Sequence, residues 1–264
     1  MPPTDASTHA TTDTDTDTGT ASAPGNEDTL ELRLTDDFLA LLSEDTGSED
    51  TFDSEDTDPC DGGTDAGQRG RPADGELLDH LADWGPVATP AGTLHLVPVR
   101  LGRDVPLISR WMNDSAVDSY WKLGGAEDVT ANHLRAQLDG DGRSMPCLGL
   151  LNGAPVSYWE IYRADLDPLA RHYPARPHDT GIHLLIGPVA QRGRGLGSTL
   201  LRAVADLVLD RRPSCARVVA EPDLRNFPSV SAFLSAGFRY ATEVDLPDKR
   251  AALMCRDRLL RDLM

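Results

Sequence analysis

The chain has 264 residues and a formal net charge of −18, because 43 aspartates and glutamates stand against 25 lysines and arginines. Most of this charge lies in residues 1 to 75, which hold 20 acidic and 3 basic side chains, and the rest of the chain is close to neutral. Binding to nucleic-acid phosphates requires a net cationic surface. Neither part of the chain supplies one, so the composition excludes a nucleic-acid-binding protein of this kind.

The chain shows no signal for a membrane, for secretion or for a metal. No stretch approaches the roughly 20 apolar residues that span a bilayer, and the N-terminus lacks the cationic start and apolar run of a secretion signal. The cysteines are far apart and form no CxxC pair. We therefore expect a cytoplasmic protein with reduced thiols, no membrane association and no metal site.

Residues 1 to 75 are rich in Thr, Asp, Ser, Gly and Pro and include the repeat TDTDTDT. Low hydrophobicity with high net charge cannot bury enough surface to offset chain entropy, which predicts a disordered acidic tail ahead of a folded domain at 76–264. One segment, residues 30 to 44, interrupts this pattern with leucines and a helix cap at Thr35. It is either a transient helix or a segment that docks on the domain or on a partner.

Beyond Gly75 the sequence alternates between strand-like and helix-like patterns. Asn152-Gly153 between two apolar runs is a strong hairpin signal. The predicted elements are, in chain order, a short helix at 75–84, a strand at 93–99, helices at 104–113 and 127–138, strands at 146–151, 155–162 and 181–187, a helix at 194–210, a strand at 217–222, a helix at 227–235 and strands at 238–244 and 250–256. This order predicts one α/β domain with a mixed central sheet and flanking helices.

The most informative stretch is HLLIGPVAQRGRGLGSTLL, residues 183 to 201, in which an apolar strand runs through a glycine-rich turn into a helix. Gly193, Gly195 and Gly197 let the backbone approach an anion, and the amides that open the helix point at it. Arg192 and Arg194 add cationic donors. The glycine spacing is not the G-x-G-x-x-G of dinucleotide folds and lacks the GK[ST] ending of a P-loop. The turn therefore predicts a pyrophosphate site of another kind.

Here the sequence resembles the GNAT acyltransferase superfamily, over residues 93 to 257. Arg192 to Gly197 is similar to its acyl-CoA signature R/Q-x-x-G-x-G/A, and Asn226 with the following SAFLSAGF is similar to its second landmark. The resemblance implies a GNAT-type sheet in which the strand before the turn separates from its neighbour, with acyl-CoA as co-substrate. The coenzyme-binding residues that it implies are Ile186, Gln191, Arg192, Gly193, Arg194, Gly195, Gly197, Ser198 and Asn226.

One position departs from the family pattern. Many members carry a tyrosine four residues before the glycine of the Gly-Phe pair, as the acid that protonates the leaving thiolate, and this chain has Phe233 there. The proton must come from another group, or the thiolate leaves unassisted.

The phrases PVSYWEIY, GIHLLIGP, AEPDLRN and LPDKRAAL resemble the siderophore-biosynthesis branch of the superfamily. That branch acylates the terminal nitrogen of a lysine or diamine, usually already N-hydroxylated, to give an iron-binding hydroxamate. The resemblance implies an N-acyltransferase that uses acetyl-CoA or succinyl-CoA on lysine or a diamine such as N-hydroxycadaverine. It also implies a functional link to an N-hydroxylase and a siderophore synthetase. Rival hypotheses are an acetyltransferase for another small amine, such as an aminoglycoside or polyamine, and a catalytically silent acyl-CoA-binding module.

Two residues are the candidates for catalysis. His183 and Asp223 lie on the two strands expected to separate, so both can reach one cleft, where Asp223 would take the proton from the attacking nitrogen and His183 would bind the acceptor or steady the base. The same roles follow from the resemblance to mycobactin-type enzymes. His183 is otherwise a packed core histidine and Asp223 a helix cap. Glu221 is an alternative base, and a water-relayed proton is a further alternative.

Aromatic and charged residues complete the predicted substrate site. Alternation along the strand places Tyr158 and Glu160 on one face and Trp159 and Ile161 on the other. Glu160 could hold an ammonium group, and Lys249 and Arg250 could pair with a carboxylate or belong to a solvated turn. The candidates for the acceptor channel are Trp111, Trp121, Tyr158 and Trp159, each of which is otherwise a core residue.

Overall fold

The computed structural model describes Leu78 and residues 80–263. The predicted acidic tail and its segment at residues 30 to 44 lie outside the described residues. The strands are β1 (Val87–Thr89), β2 (Gly92–Pro98), β3 (Ser144–Leu151), β4 (Ala154–Arg163), β5 (Thr180–Ile186), β6 (Arg217–Ala220), β7 (Arg239–Asp245) and β8 (Arg250–Asp257), and the α-helices are α1 (Leu101–Met112), α2 (Ser115–Trp121), α3 (Glu127–Leu138), α4 (Leu196–Arg211) and α5 (Phe227–Ser235).

The described strands form one mixed sheet in the order β1-β2-β3-β4-β5-β6-β8-β7. Strands β1 to β5 follow one another as an antiparallel meander, with the predicted Asn152-Gly153 turn joining β3 to β4. Helix α4 then crosses over to β6, which lies parallel to β5, and β8 is antiparallel to both of its neighbours. Parallel neighbours require such a crossover, so the α4 connection decides that the sheet is mixed.

Most predicted elements are present, and the differences concern short ones. The helix predicted at 75–84 is a single 3₁₀ turn over Leu81–Trp84 among the described residues. Strand β1 and helix α2 were not predicted, because three and seven residues are too few to show a hydrophobic period. Helix α2 begins where the Asp114 side chain accepts a hydrogen bond from the Ala116 amide at 3.0 Å.

The sheet has hydrophobic packing on both faces. The alternation predicted for β4 is confirmed: Trp159 and Ile161 lie in the cluster built with α4, and Tyr158 lies in the cluster built with α1. All three side chains are fully buried. Because a sheet covered on both faces is rigid, polar side chains that emerge at an opening between its strands are held in fixed positions.

Candidate active site

The sheet opens between β5 and β6. The two strands pair only at Thr180–Val218 and Gly181–Val219, although β5 runs on to Ile186. Beyond this point the β6-facing edge of β5 has no strand partner among residues 80–263. Side chains and backbone groups on either side of the gap are therefore available to a ligand, as the resemblance implied.

His183 lies at this opening, between two glutamates. Glu160 is its directly opposed residue on β4, and its Oε2 lies 2.9 Å from His183 Nδ1. On the other side, Gly181 of β5 pairs with Val219 of β6, and His183 and Glu221 each come two residues later on these parallel strands. This register brings the two side chains together, with Glu221 Oε1 2.5 Å from His183 Nε2. Both ring nitrogens can donate only in the doubly protonated ring. The contacts therefore define an imidazolium between two carboxylates.

The charges of the three groups stabilise one another. Burial would lower the pKa of His183, but the adjacent Glu221 and Glu160 carboxylates raise it above its ordinary value of 6.5. Burial would raise the pKa of Glu160, yet hydrogen bonds from His133 and His183 lower it well below the usual range. The pKa of Glu221 is likewise lowered, against the effect of burial, by His183 and Lys249. At neutral pH these three groups are two carboxylates and one imidazolium.

Further polar side chains fix the carboxylates. Tyr158 donates to Glu160 Oε1 at 2.9 Å, and Tyr162 donates to Glu221 Oε2 at 2.7 Å. From helix α3, His133 Nε2 lies 2.5 Å from Glu160 Oε1, and the Gln137 amide donates to the same oxygen at 2.8 Å. A buried network whose members are bonded in this way is rigid, so it sets the orientation of the His183 ring.

Asp223 is placed differently from Glu221. Both of its carboxylate oxygens accept from the Arg225 guanidinium, at 3.0 and 2.7 Å, and one also accepts from the Arg225 amide at 2.8 Å. This pairing lowers the pKa of Asp223 below its ordinary value. Asp223 lines the same cavity as His183, but the carboxylates that contact the His183 ring belong to Glu160 and Glu221.

A cavity of about 240 Å³ lies at the opening and is lined by His183, Glu221 and Asp223 among others. Lys249 also lines it, with Nζ 3.6 Å from Glu221 Oε1. Arg250, which was predicted beside it, instead pairs with Glu243 and Asp245 of β7, because alternation along β8 turns it to the other side. Of the two predicted cations, the cavity wall contains Lys249.

Of the four aromatic candidates for the acceptor channel, one lines the cavity and three lie in the core. Trp121 lines the cavity and stands edge-on to the His183 ring, with 6.1 Å between ring centroids. Tyr158 packs against Trp121 and is fully buried, and its hydrogen bond to Glu160 fixes a carboxylate of the cavity wall. Trp111 and Trp159 are core residues in two different hydrophobic clusters.

A second, larger groove of about 770 Å³ begins at the same opening and runs to the glycine-rich turn. Gly193 and Gly195 have φ values of 69° and 77°, and a Cβ on either would meet no atom within 4 Å. Helix α4 starts at Leu196 without a side-chain cap, so the amides of its first turn remain available to an anion. The predicted coenzyme residues that line the groove are Ile186, Arg192, Gly193, Gly195, Gly197, Ser198 and Asn226.

Arg192 braces the turn. Its guanidinium donates to the carbonyls of Ile186 and Gly187, both at 2.8 Å, and pairs with Asp114 at 3.0 Å. These contacts give Arg192 a role in shaping the loop, and its predicted role as a phosphate donor stays a prediction. Arg194 is exposed, and the buried Oε1 of Gln191 has no hydrogen-bond partner among the described residues.

Sequence reasoning missed His133, Gln137 and Tyr162, and it ranked Glu221 below Asp223. Tyr162 continues the period-two alternation of Tyr158 and Glu160, a signal that was present in the sequence. His133 and Gln137 lie one helical turn apart on α3, and nothing in the sequence indicates which strand they face.

No helix in the described part of the chain is long and apolar enough to cross a membrane. Residues 80–263 contain no group of three or more His, Cys, Asp or Glu side chains arranged to hold a metal ion.

The chain is similar in sequence to a known domain family and to named acyltransferases. Residues 100–246 match the model of the acetyltransferase (GNAT) domain. A lysine N-acyltransferase, MbtK, of Mycobacterium sp. (strain MCS) is 34% identical over 177 residues, which cover 67% of this chain and 72% of that protein. The N(6)-hydroxylysine O-acetyltransferase of Escherichia coli is 36% identical over 155 residues, covering 59% of this chain and 49% of that protein.

Solved structures share the fold. The crystal structure of an uncharacterized protein from Bacillus halodurans superposes with a TM-score of 0.64 at 35% identity, covering 68% of this chain and 92% of that one. The aminoglycoside acetyltransferase AAC(6')-Ib, in complex with paromomycin and acetyl-CoA, has a TM-score of 0.55 at 22% identity, covering 64% and 96% respectively. This second likeness concerns the fold alone.

Proposed function

The chain belongs to the GNAT acetyltransferase family, and on that premise we propose that it is an acyl-CoA-dependent N-acyltransferase of siderophore biosynthesis. Its acceptor is the terminal amine or hydroxylamine of lysine or of a diamine such as N-hydroxycadaverine, and its product is a hydroxamate or the amide precursor of one. The observation that carries the proposal is the His183 imidazolium held by Glu160 and Glu221 on the wall of the acceptor cavity.

The carboxylates of the cavity favour a small acceptor that carries N–H or O–H donors. Glu160, Glu221 and Asp223 line the cavity, each beside a cationic partner, which is His183 for the two glutamates and Arg225 for Asp223. A carboxylate accepts a hydrogen bond from an amine or from a hydroxylamine that enters. The relatives named for lysine and hydroxylysine act on acceptors of this class.

The reaction asks for positioning more than for a strong base. A hydroxylamine nitrogen is less basic than an alkyl amine and arrives neutral, so attack on the thioester needs mainly alignment. We assign Asp223 as the proton acceptor for the attacking nitrogen, with Glu221 as the alternative, since both carboxylates line the cavity. His183 orients the acceptor through the network of Glu160 and Glu221.

The groove supplies the coenzyme site of the proposal. Acyl-CoA would lie with its pyrophosphate on the amides of residues 193 to 198 and its pantetheine along the unpaired edge of β5. Acetyl and succinyl groups differ by a carboxylate, for which Lys249 is the available cation on the cavity wall. We further propose that residues 76–264 form the catalytic domain and work in the cytoplasm beside an N-hydroxylase and a siderophore synthetase.

The test is a free-CoA release assay on the purified full chain. Acetyl-, succinyl- and malonyl-CoA are crossed with lysine, N6-hydroxylysine, cadaverine and N-hydroxycadaverine, and an aminoglycoside and a polyamine are added as rival acceptors. We expect rapid release with one of the first four acceptors, and its loss in His183→Gln with unchanged CoA affinity. Turnover confined to the rival acceptors, or CoA binding without turnover of any acceptor, would contradict the proposal.

A further inference from the structure

The acceptor cavity and the coenzyme groove meet at a short shared wall. A thioester that is attacked from the cavity while its coenzyme lies in the groove must have its sulfur at this junction. The residues that line both spaces are Tyr120, Trp121, Leu184, Asn226, Ser229 and Phe233.

The junction needs a proton donor, because expulsion of a thiolate is helped by protonation of the sulfur. Phe233, which stands where many family members have the tyrosine acid, has no hydroxyl and packs edge-on against Phe238 with 5.0 Å between ring centroids. Among the six shared residues, the side chains with an O–H group are Tyr120 and Ser229. The choice of acid therefore reduces to these two and water.

The chemistry favours the phenol. Phenols and thiols have ordinary pKa values of about 10 and about 8.5, so a proton passes between them at little cost, whereas an aliphatic hydroxyl is a far weaker acid. Tyr120 is also accessible: it is 38% exposed, and its hydroxyl donates to the Arg225 carbonyl at 3.2 Å, a long bond at the protein surface. To reach the sulfur, the side chain would rotate and exchange this carbonyl for it.

We propose that Tyr120, at the end of helix α2, is the acid that protonates the leaving thiolate. The acceptor nitrogen forms the C–N bond, the C–S bond breaks with its electron pair on sulfur, and the Tyr120 proton passes to that sulfur to give free CoA. The proton lost by the nitrogen goes to a cavity carboxylate and then to solvent, from which the phenolate is reprotonated. The proposed acid therefore lies on helix α2, whereas many family members carry it at the position of Phe233 on helix α5. This inference rests on the proposed acyl transfer, but its first test does not depend on the acceptor.

That test titrates the thiol of CoA bound to the full chain, read by thiolate absorbance, with the desulfo-CoA complex of the same variant as the blank for tyrosine ionisation. A hydrogen bond from Tyr120 to sulfur stabilises the thiolate. We expect Tyr120→Phe to raise the pKa of the bound thiol, while Tyr240→Phe, on strand β7 outside both spaces, leaves it unchanged. An unchanged thiol pKa in Tyr120→Phe overturns the proposal, whatever the acceptor proves to be.

Kinetics provide the second test, on the acceptor that the wild type uses. We expect kcat of Tyr120→Phe to fall on the order of 10²-fold, with less loss for an acyl thioester of an acidic aryl thiol, whose leaving group needs no proton. Adding Phe233→Tyr to this variant should restore part of the rate, because it returns a phenol to the same junction. Equal losses with both thioesters, or the same pattern in Ser229→Ala instead, would overturn the assignment.

Discussion

His183 Nε2 lies 2.5 Å from Glu221 Oε1, and these two residues stand two positions beyond the last paired residues of β5 and β6. The contact exists because the parallel register continues in the side chains after the backbones have separated. It places a carboxylate on His183 while leaving the strand edges free for a ligand. Asp223, two residues further along, faces the cavity with its charge balanced by Arg225.

The two carboxylates can be distinguished by mutation. Asp223→Asn should depress kcat by at least about 10-fold with acyl-CoA affinity little changed, as expected for a lost proton acceptor. The measurement is steady-state kinetics together with CoA binding by calorimetry. Arg225→Gln is the matched control, because it removes the partner of Asp223 and leaves the carboxylate. Near-wild-type turnover in Asp223→Asn would remove this residue from the mechanism.

Glu221→Gln is expected to act through His183. Burial lowers the His183 pKa and the Glu221 carboxylate does most to raise it, so without Glu221 the imidazolium should lose its proton at lower pH than in the wild type. The alkaline limb of the pH–rate profile should therefore shift toward lower pH, and NMR titration of the His183 ring should show the same shift. An unaltered profile with reduced kcat would instead identify Glu221 as the base itself.

The stability contributed by Glu160, His183 and Glu221 should fall at both low and high pH. The pKa values of Glu160 and Glu221 are lowered on folding, so their contribution is complete above the ordinary value of 4.5 and is lost as pH falls below it. The pKa of His183 is raised, so its contribution is complete below 6.5 and is lost as pH rises toward the folded-state value. The difference in unfolding free energy between wild type and His183→Gln should be largest between pH 4.5 and 6.5. Denaturant unfolding at a series of pH values measures it, and a difference that does not vary with pH would contradict the ionised network.

Gly195 offers a test of the coenzyme site with a close control. Gly195 and Gly153 have φ values of 77° and 83°, and a Cβ on either meets no atom within 4 Å. Alanine at each position should cost a similar amount of stability, about 1–2 kcal/mol, from the left-handed backbone. Only Gly195→Ala places a methyl group beside the groove, so it alone should weaken CoA binding, by about 10-fold or 1.4 kcal/mol. Equal CoA affinities in the two variants would discredit the placement of the pyrophosphate.

The acidic N-terminal segment is predicted to be dispensable for the chemistry. Its composition cannot support a hydrophobic core, so deletion of residues 1 to 75 should leave Tm and the steady-state rates unchanged. Thermal unfolding and CoA release from full-length and shortened chains provide the comparison. A marked fall in Tm would show that residues 30 to 44 dock on the domain.

Much of the fold, the glycine-rich turn and the face of β4 that carries Glu160 could be predicted from the sequence. The glycine-rich turn is a local feature whose function follows from consecutive residues, and Gly193, Gly195 and Gly197 indeed line the groove. The face shared by Tyr158 and Glu160 follows from strand alternation and is confirmed. The partners of Arg192 could not be predicted from neighbouring residues. They are the Ile186 carbonyl and the Asp114 carboxylate, which the folded loop brings to its guanidinium.

By itself the sequence determined the charge division, the order of all strands and helices except β1 and α2, and the motif that identifies the family, because each depends on composition or on neighbours along the chain. The tertiary structure alone decided which carboxylates contact His183, which of Lys249 and Arg250 faces the cavity, and which hydroxyls lie at the junction with the groove. These contacts join residues far apart in sequence. Strand register sets the carboxylates, because a shift of one residue would put other side chains beside His183, and the packing of helices and turns sets the rest.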